Sequence, residues 1–276
     1  MRHEVIHMKE HFPVLGQEGR DPVLTTYLPY NMLEMGRQDQ KRPCLLICPG
    51  GGYSMCSERE AEVIGLHFLP AGYNVFVLNY SVAPHRYPAQ LQEVAGAMEL
   101  IYANAEGWNC DVSRIAIMGF SAGGHLAGHY SNSFDCEEVR SIFPQSKAVN
   151  ASILCYPVIT TNPKYFHEGS FLNVTGHDFV LPEDQERFSL ERLVTEHTPP
   201  TFLWHTFEDP VVPVMNSLLY ASALADNKVP FAVRIYPFGQ HGLATVDAQS
   251  NPELPAQVQW AAQWLDEVKT WLSYTF

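Results

Sequence analysis

Short runs of consecutive apolar residues alternate along the chain with longer amphipathic stretches. Cys44-Leu45-Leu46-Ile47-Cys48, Asn74-Val75-Phe76-Val77-Leu78-Asn79-Tyr80 and Arg114-Ile115-Ala116-Ile117-Met118 are too continuously apolar for strands with one wet face. With residues 149–156 they predict the buried strands of a parallel sheet, which 201–207 and a last strand at 231–236 continue. Between them, residues 57–69, 88–105, 214–227 and 255–273 read as helices. In the second, Leu91, Val94, Ala95, Met98 and Ile101 share one face; in the last, Val258, Ala262, Leu265, Val268, Trp271 and Leu272 do. Ser57 followed three residues later by Glu60 reads as a capping box, and Ala71-Gly72 as the stop of that first helix. Up to about residue 30 the runs are shorter, Val23-Leu24-Thr25-Thr26-Tyr27-Leu28 being the clearest, and predict antiparallel edge strands. Strands alternating with helices imply an α/β fold with a mostly parallel central sheet covered on both faces.

Residues 158–200 break this rhythm. Asn162-Pro163, His167-Glu168-Gly169 and Gly176-His177-Asp178 punctuate a stretch holding Tyr165, Phe166, Phe171 and Phe179, with short helix candidates such as 182–193. A long irregular insertion in a regular domain usually carries function, so a small cap over a pocket mouth is expected. The alternative is a surface excursion packed by its own aromatics. The 276 residues fit one α/β domain, 1–276, with the insertion inside it.

Composition narrows the partners. Hydrophobic residues make up 46% and charged ones 17%, as in globular proteins, and the net charge is −13. Such an acidic bias repels nucleic acid and anionic membrane surfaces, so neither is expected as a partner. Residues 1–10 lack the apolar core of a signal peptide and no later run is long enough to span a bilayer, which makes a cytoplasmic location the expectation. The six cysteines lack the density of a disulfide framework and read as free thiols; Cys44 and Cys48 read as small buried hydrophobes. A homodimer is compatible with the sequence.

Chemistry concentrates where strands end. Gly119-Phe120-Ser121-Ala122-Gly123 has the G-x-S-x-G pattern of a nucleophile elbow, with an apolar strand before it and a helix after it. Pro49-Gly50-Gly51-Gly52-Tyr53 follows another strand and frees backbone N–H groups to face an oxyanion. Glu208-Asp209-Pro210 ends the strand at 201–207, and Gly239-Gln240-His241-Gly242 follows the last strand. A serine hydroxyl needs a base, and His241 is the candidate among twelve histidines because neither packing nor helix formation asks for histidine there. Asp209 is the candidate acid, with Glu208 and Asp247 as competitors; the order Ser, acid, His is that of the elbow pattern. His125 and His129, spaced i, i+4, lack a third metal ligand and read as packing or surface residues, and His205 as a satisfied core residue.

Together, Cys48-Pro49-Gly50-Gly51-Gly52-Tyr53, Gly119 through Ala127, His205-x-x-x-Asp209-x-x-Val212-Pro213 and Gly239-x-His241-Gly242 resemble the α/β-hydrolase superfamily. Within it they resemble the bacterial acetyl-esterase and xylan-esterase-like branch, over about residues 43–271. The resemblance implies Ser121 as nucleophile, Asp209 and His241 as its partners, and the N–H groups of Gly51, Gly52 and Ala122 as oxyanion hole. It also implies a serine carboxylesterase acting on small-molecule esters, acetyl esters of sugars included, with no cofactor and no metal. Tyr53, Tyr80 and the aromatics around Tyr165 and Phe166 are the candidates for the substrate pocket, and each reads equally well as a core residue. The rival readings are a lipase or peptidase on the same scaffold, and a ligand-binding homologue without catalysis.

Overall fold

A computed structural model describes residues 1–177 and 181–276. Among them the strands are β1 (Arg2–His7), β2 (Val23–Leu28), β3 (Arg42–Cys48), β4 (Asn74–Asn79), β5 (Cys110–Phe120), β6 (Ala151–Cys155), β7 (Thr201–Thr206) and β8 (Phe231–Tyr236). They form one sheet in the order β1-β2-β4-β3-β5-β6-β7-β8. The first two pairings, β1 with β2 and β2 with β4, are antiparallel, and every pairing from β4 to β8 is parallel. This is the α/β-hydrolase arrangement, with the antiparallel edge expected from residues 1–30.

Side-chain alternation along the buried strands divides the core in two. Leu46, Ile117, Leu154 and Leu203 point to one face of the sheet, where the helices Ala89–Ala103, Ser121–Ser133 and Met215–Asp226 cover them with Leu91, Met98, Tyr130 and Leu224. Ile47, Met118, Ile153 and Phe202 point to the other, against Ile64 and Phe68 of the helix Glu62–Phe68 and Trp264 and Val268 of the helix Trp264–Thr275. Continuous apolar runs were therefore required of these strands, since both of their faces are dry.

The chain passes from β3 to β4 on one side, then returns to add β5 on the other side of β3. The carboxyl ends of β3 and β5 thus flank a switch point, where open α/β sheets place their ligands. Register brings Cys48 opposite Gly119, so the glycine run and the serine elbow leave the sheet side by side.

Four local expectations are corrected. Residues 57–69 are not one capped helix: a 3-10 turn, Glu58–Glu60, precedes the helix Glu62–Phe68, and Ser57 makes no side-chain cap. Glu60 turns inward instead, to the partners described below. The last helix opens with a 3-10 segment, Val258–Gln263, before Trp264–Thr275. Residues 182–193 form two helices, Pro182–Phe188 and Leu190–Leu193, broken at Ser189, whose backbone is extended and whose hydroxyl pairs with that of Thr161. The insertion also holds a helix not expected from the pattern, Glu168–Thr175, capped by the His167 ring, which accepts the Ser170 N–H. Phe179 and Asp178 lie outside the described residues.

Candidate active site

Ser121 sits at the junction of β5 and the helix Ser121–Ser133 with φ of 53°, a left-handed conformation that is strained for a serine. The strain is imposed by close packing. A Cβ on Gly123 would lie 2.2 Å from the Cys48 carbonyl oxygen, and one on Gly119 would lie 2.1 Å from the Gly123 carbonyl oxygen. The elbow helix is therefore pressed against the end of β3 at a distance only glycine permits. The Val158 N–H donates to the Ser121 carbonyl at 3.0 Å and holds the turn from the β6 side.

His241 bridges the other two members. Its Nδ1 lies 2.6 Å from Asp209 Oδ2 and its Nε2 lies 2.8 Å from Ser121 Oγ. Nδ1 facing a carboxylate must carry the proton, which leaves the Nε2 lone pair to accept the serine hydroxyl. Asp209 has a fully buried side chain, whereas His241 keeps 16% of its own exposed. Neither rival acid reaches the histidine: Glu208 accepts the Gly239 N–H, and Asp247 accepts the Thr245 hydroxyl and the Gln249 N–H.

The acid is held by more than His241. Asp209 Oδ1 accepts the N–H groups of Val211 and Val212, both at 2.9 Å, and Oδ2 also lies 3.3 Å from His205 Nε2. Burial alone would push this carboxyl up, but the hydrogen bonds from His205 and His241 and the Val212 N–H hold it well below the usual carboxylate range. His205 is the satisfied core residue the sequence predicts. Its Nε2–H is shared between the Val212 carbonyl at 2.9 Å and Asp209, and its Nδ1 accepts the Ser217 hydroxyl at 2.8 Å. Its contact with the acid is a role that strand position alone did not reveal.

Ser121, His241, Gly51 and Gly52 line one cavity of about 630 Å³, with Met55, Glu58, Arg59, Glu60, His167 and Val211 among its other walls. The glycine loop is held by its own turn, in which the Gly51 carbonyl accepts the Ser54 and Met55 N–H groups, and from outside by Asn173 of the insertion, which donates to the Gly52 carbonyl at 2.8 Å. The Gly50 N–H is taken by Glu60 at 2.8 Å, which leaves Gly51 and Gly52 as the glycines facing the cavity. Ala122 is fully buried on the first turn of the elbow helix, where backbone N–H groups have no intrahelical partner.

The tyrosines proposed for substrate contact are placed elsewhere. Tyr53 is 2% exposed and its hydroxyl faces His125 Nδ1 at 2.8 Å; Tyr80 is 3% exposed and donates to the Pro49 carbonyl at 2.7 Å. Tyr53 thereby ties the glycine loop to the elbow helix, and Tyr80 ties the end of β4 to the start of that loop. His125 donates through Nε2 to the Phe188 carbonyl, and burial drops its pKa to about 4. It is thereby a neutral acceptor for Tyr53. His129 is stacked on Tyr87 with ring centroids 5.7 Å apart, and burial drops its pKa to about 3. From the insertion it is His167, rather than Tyr165 or Phe166, that reaches the cavity wall. Phe166 stacks on Phe171, which packs edge-on against His125.

The family model described as BD-FAE matches residues 31–224. The chain is 40% identical over 233 residues to endo-1,4-beta-xylanase B of Butyrivibrio fibrisolvens, covering 80% of this chain and 35% of that protein. It is 32% identical over 198 residues to the acetylxylan esterase of Xylanibacter ruminicola, covering 70% of this chain and 39% of that one. It thus spans little more than a third of the length of these two relatives. Among solved structures, an acetyl ester-xyloside bifunctional hydrolase from Caldicellulosiruptor lactoaceticus superposes with a TM-score of 0.85 at 32% identity, covering 99% of this chain and 96% of that one. The carboxylesterase Cest-2923 from Lactobacillus plantarum gives 0.82 at 28% identity, with coverage of 99% and 98%. With β3 and β5 presenting the glycine loop and Ser121, and with Asp209 and His241 on the loops that follow β7 and β8, this chain belongs to the BD-FAE family of esterase-like α/β hydrolases.

Proposed function

We propose that the chain is a serine carboxylesterase that removes small acyl groups, acetyl above all, from hydroxyls of a sugar or similar alcohol. The observation that carries the reading is the unbroken chain from Asp209 through His241 to Ser121, at 2.6 and 2.8 Å. Ser121 Oγ attacks the ester carbonyl carbon while its proton passes to His241 Nε2. Negative charge gathers on the carbonyl oxygen, which the N–H groups of Gly51, Gly52 and Ala122 receive; each such donor is worth roughly 10²–10³ in rate. Collapse breaks the bond to the alcohol oxygen, which takes the proton from His241 and leaves an acyl-serine. Water then repeats the sequence, giving its proton to His241 and releasing the carboxylic acid and free Ser121. The Asp209 carboxylate stabilises the imidazolium in both halves.

The substrate class draws on the relatives, whose names include an acetylxylan esterase and an acetyl ester-xyloside hydrolase. Glu58, Arg59 and His167 on the cavity wall suit a polyhydroxylated alcohol. The purified chain is expected to hydrolyse p-nitrophenyl acetate faster than longer-chain p-nitrophenyl esters and to deacetylate acetylated xylosides. A preference for long acyl chains, or for acyl-peptides, contradicts this reading.

A further inference from the structure

Glu60 is a buried carboxylate for which the reaction scheme has no use. It is 3% exposed, and burial raises its pKa against the lowering effect of its hydrogen bonds. Burying such a group is costly unless both oxygens are satisfied, and here each is satisfied by a different loop. Oε2 accepts the Gly50 N–H at 2.8 Å, and Oε1 accepts the Tyr156 hydroxyl at 2.7 Å. The fit at Gly50 is tight, since a Cβ there would lie 2.5 Å from Oε2.

Tyr156 carries the connection onward. It follows β6 with φ of 36°, left-handed and strained, and its N–H donates to the Trp204 carbonyl at 2.7 Å. Its hydroxyl, having donated to Glu60, accepts the Ala244 N–H at 3.0 Å, and its ring packs edge-on against the His241 ring with centroids 5.1 Å apart. One carboxylate thus joins the start of the glycine loop to the loop that carries the histidine. An apolar side chain would fill the same space without the desolvation cost, but it could accept neither donor.

We propose that Glu60 is a positioning residue that fixes the glycine loop and the His241 loop relative to each other, through Gly50 on one side and through Tyr156 and Ala244 on the other. The proposal rests on the esterase reading, because the relative placement of the two loops matters to catalysis only if an oxyanion forms beside Ser121.

Glu60→Gln, Tyr156→Phe and the double variant test it. A glutamine oxygen can accept one of the two donors while its NH₂ confronts the other. With p-nitrophenyl acetate, kcat is expected to fall about 100-fold in Glu60→Gln, the lower end of the effect of displacing an oxyanion donor, and by less, about 10-fold, in Tyr156→Phe. KM should stay within about twofold of wild type, since uniform binding is untouched. The double variant should lose no more than Glu60→Gln alone, because the two side chains act in one chain of contacts. A rise in KM at constant kcat, multiplied losses in the double variant, or wild-type kcat in either single variant would overturn the proposal. Should Glu60→Gln fail to fold, Tyr156→Phe decides it on the same criteria. The backbone amide resonance of Ala244 gives a readout independent of turnover: it should move in Glu60→Gln, and an unmoved signal rejects the linkage. A shifted amide in a protein without esterase activity would reject the esterase reading while the linkage stood.

Discussion

His205 Nε2 lies 3.3 Å from Asp209 Oδ2, where neither side chain is exposed to solvent. The acid that orients His241 is thus itself oriented by a second histidine, anchored through Ser217. His205→Phe keeps a ring in the strand but strands the Ser217 hydroxyl and removes a donor to Asp209. Unfolding free energy should drop by about 1–3 kcal/mol, the cost of leaving buried polar groups unpaired. Hydrolysis should slow chiefly in kcat. Urea denaturation alongside steady-state kinetics measures both, and unchanged values in each would remove His205 from the support of the acid.

Asp209→Asn should leave the fold intact and lower kcat by about 10³–10⁴, because an asparagine favours the wrong imidazole tautomer. Circular dichroism checks the fold and hydrolysis of p-nitrophenyl acetate the rate. A fully active variant would transfer the acid's role to Glu208 or Asp247, neither of which contacts His241 in the structure.

Acid sensitivity follows from the same carboxyl. Its folded pKa is held below its ordinary value of 3.8, so the stability it contributes is present above that value and lost as pH falls toward the folded one. Between about pH 4 and pH 2 the melting temperature of wild type should therefore fall more steeply than that of Asp209→Asn. Parallel curves would show that Asp209 is not stabilised as a carboxylate.

Gly123→Ala should cost about 3 kcal/mol or more, since its methyl group meets backbone oxygens of Cys48 and Pro49 that cannot retreat without unseating β3. Gly169→Ala, whose nearest neighbour would be 3.7 Å away, is the matched control and should fall within about 0.5 kcal/mol of wild type. Equal stabilities would contradict the close seating of the elbow helix.

Tyr53→Phe separates a loop support from a substrate contact. With the hydroxyl gone, His125 Nδ1 loses its donor, and stability should fall by about 1 kcal/mol while KM stays unchanged. A large rise in KM would return Tyr53 to the substrate pocket.

What could be read in advance follows from how local each signal is. Ser121, Asp209 and His241 stood out because each lies just beyond the carboxyl end of a strand of the parallel sheet, where open α/β sheets place their site residues. The strands were legible since both faces of β6, β7 and the apolar stretches of β3 and β5, the latter from Ile115 to Phe120, are dry. Glu60 was misread because Ser57-x-x-Glu60 satisfies a capping pattern within four residues, while its actual partners, Gly50 and Tyr156, are 10 and 96 positions away. Tyr53 was misread for the opposite reason: adjacency to the glycine run places it near the site, but the turn decides which way it points. The insertion gave only its length and punctuation, so His167 could not be singled out from its aromatic neighbours.

The decisive measurement is mass spectrometry of the intact protein after exposure to a p-nitrophenyl alkylphosphonate, an ester mimic that traps the activated hydroxyl of a serine hydrolase. With a working Asp209–His241–Ser121 chain, the protein gains a single phosphonyl group, digestion places it on Ser121, esterase activity disappears in proportion, and Ser121→Ala takes up none. Labelling at another residue, or undiminished hydrolysis by Ser121→Ala, would contradict the assignment of Ser121 as nucleophile.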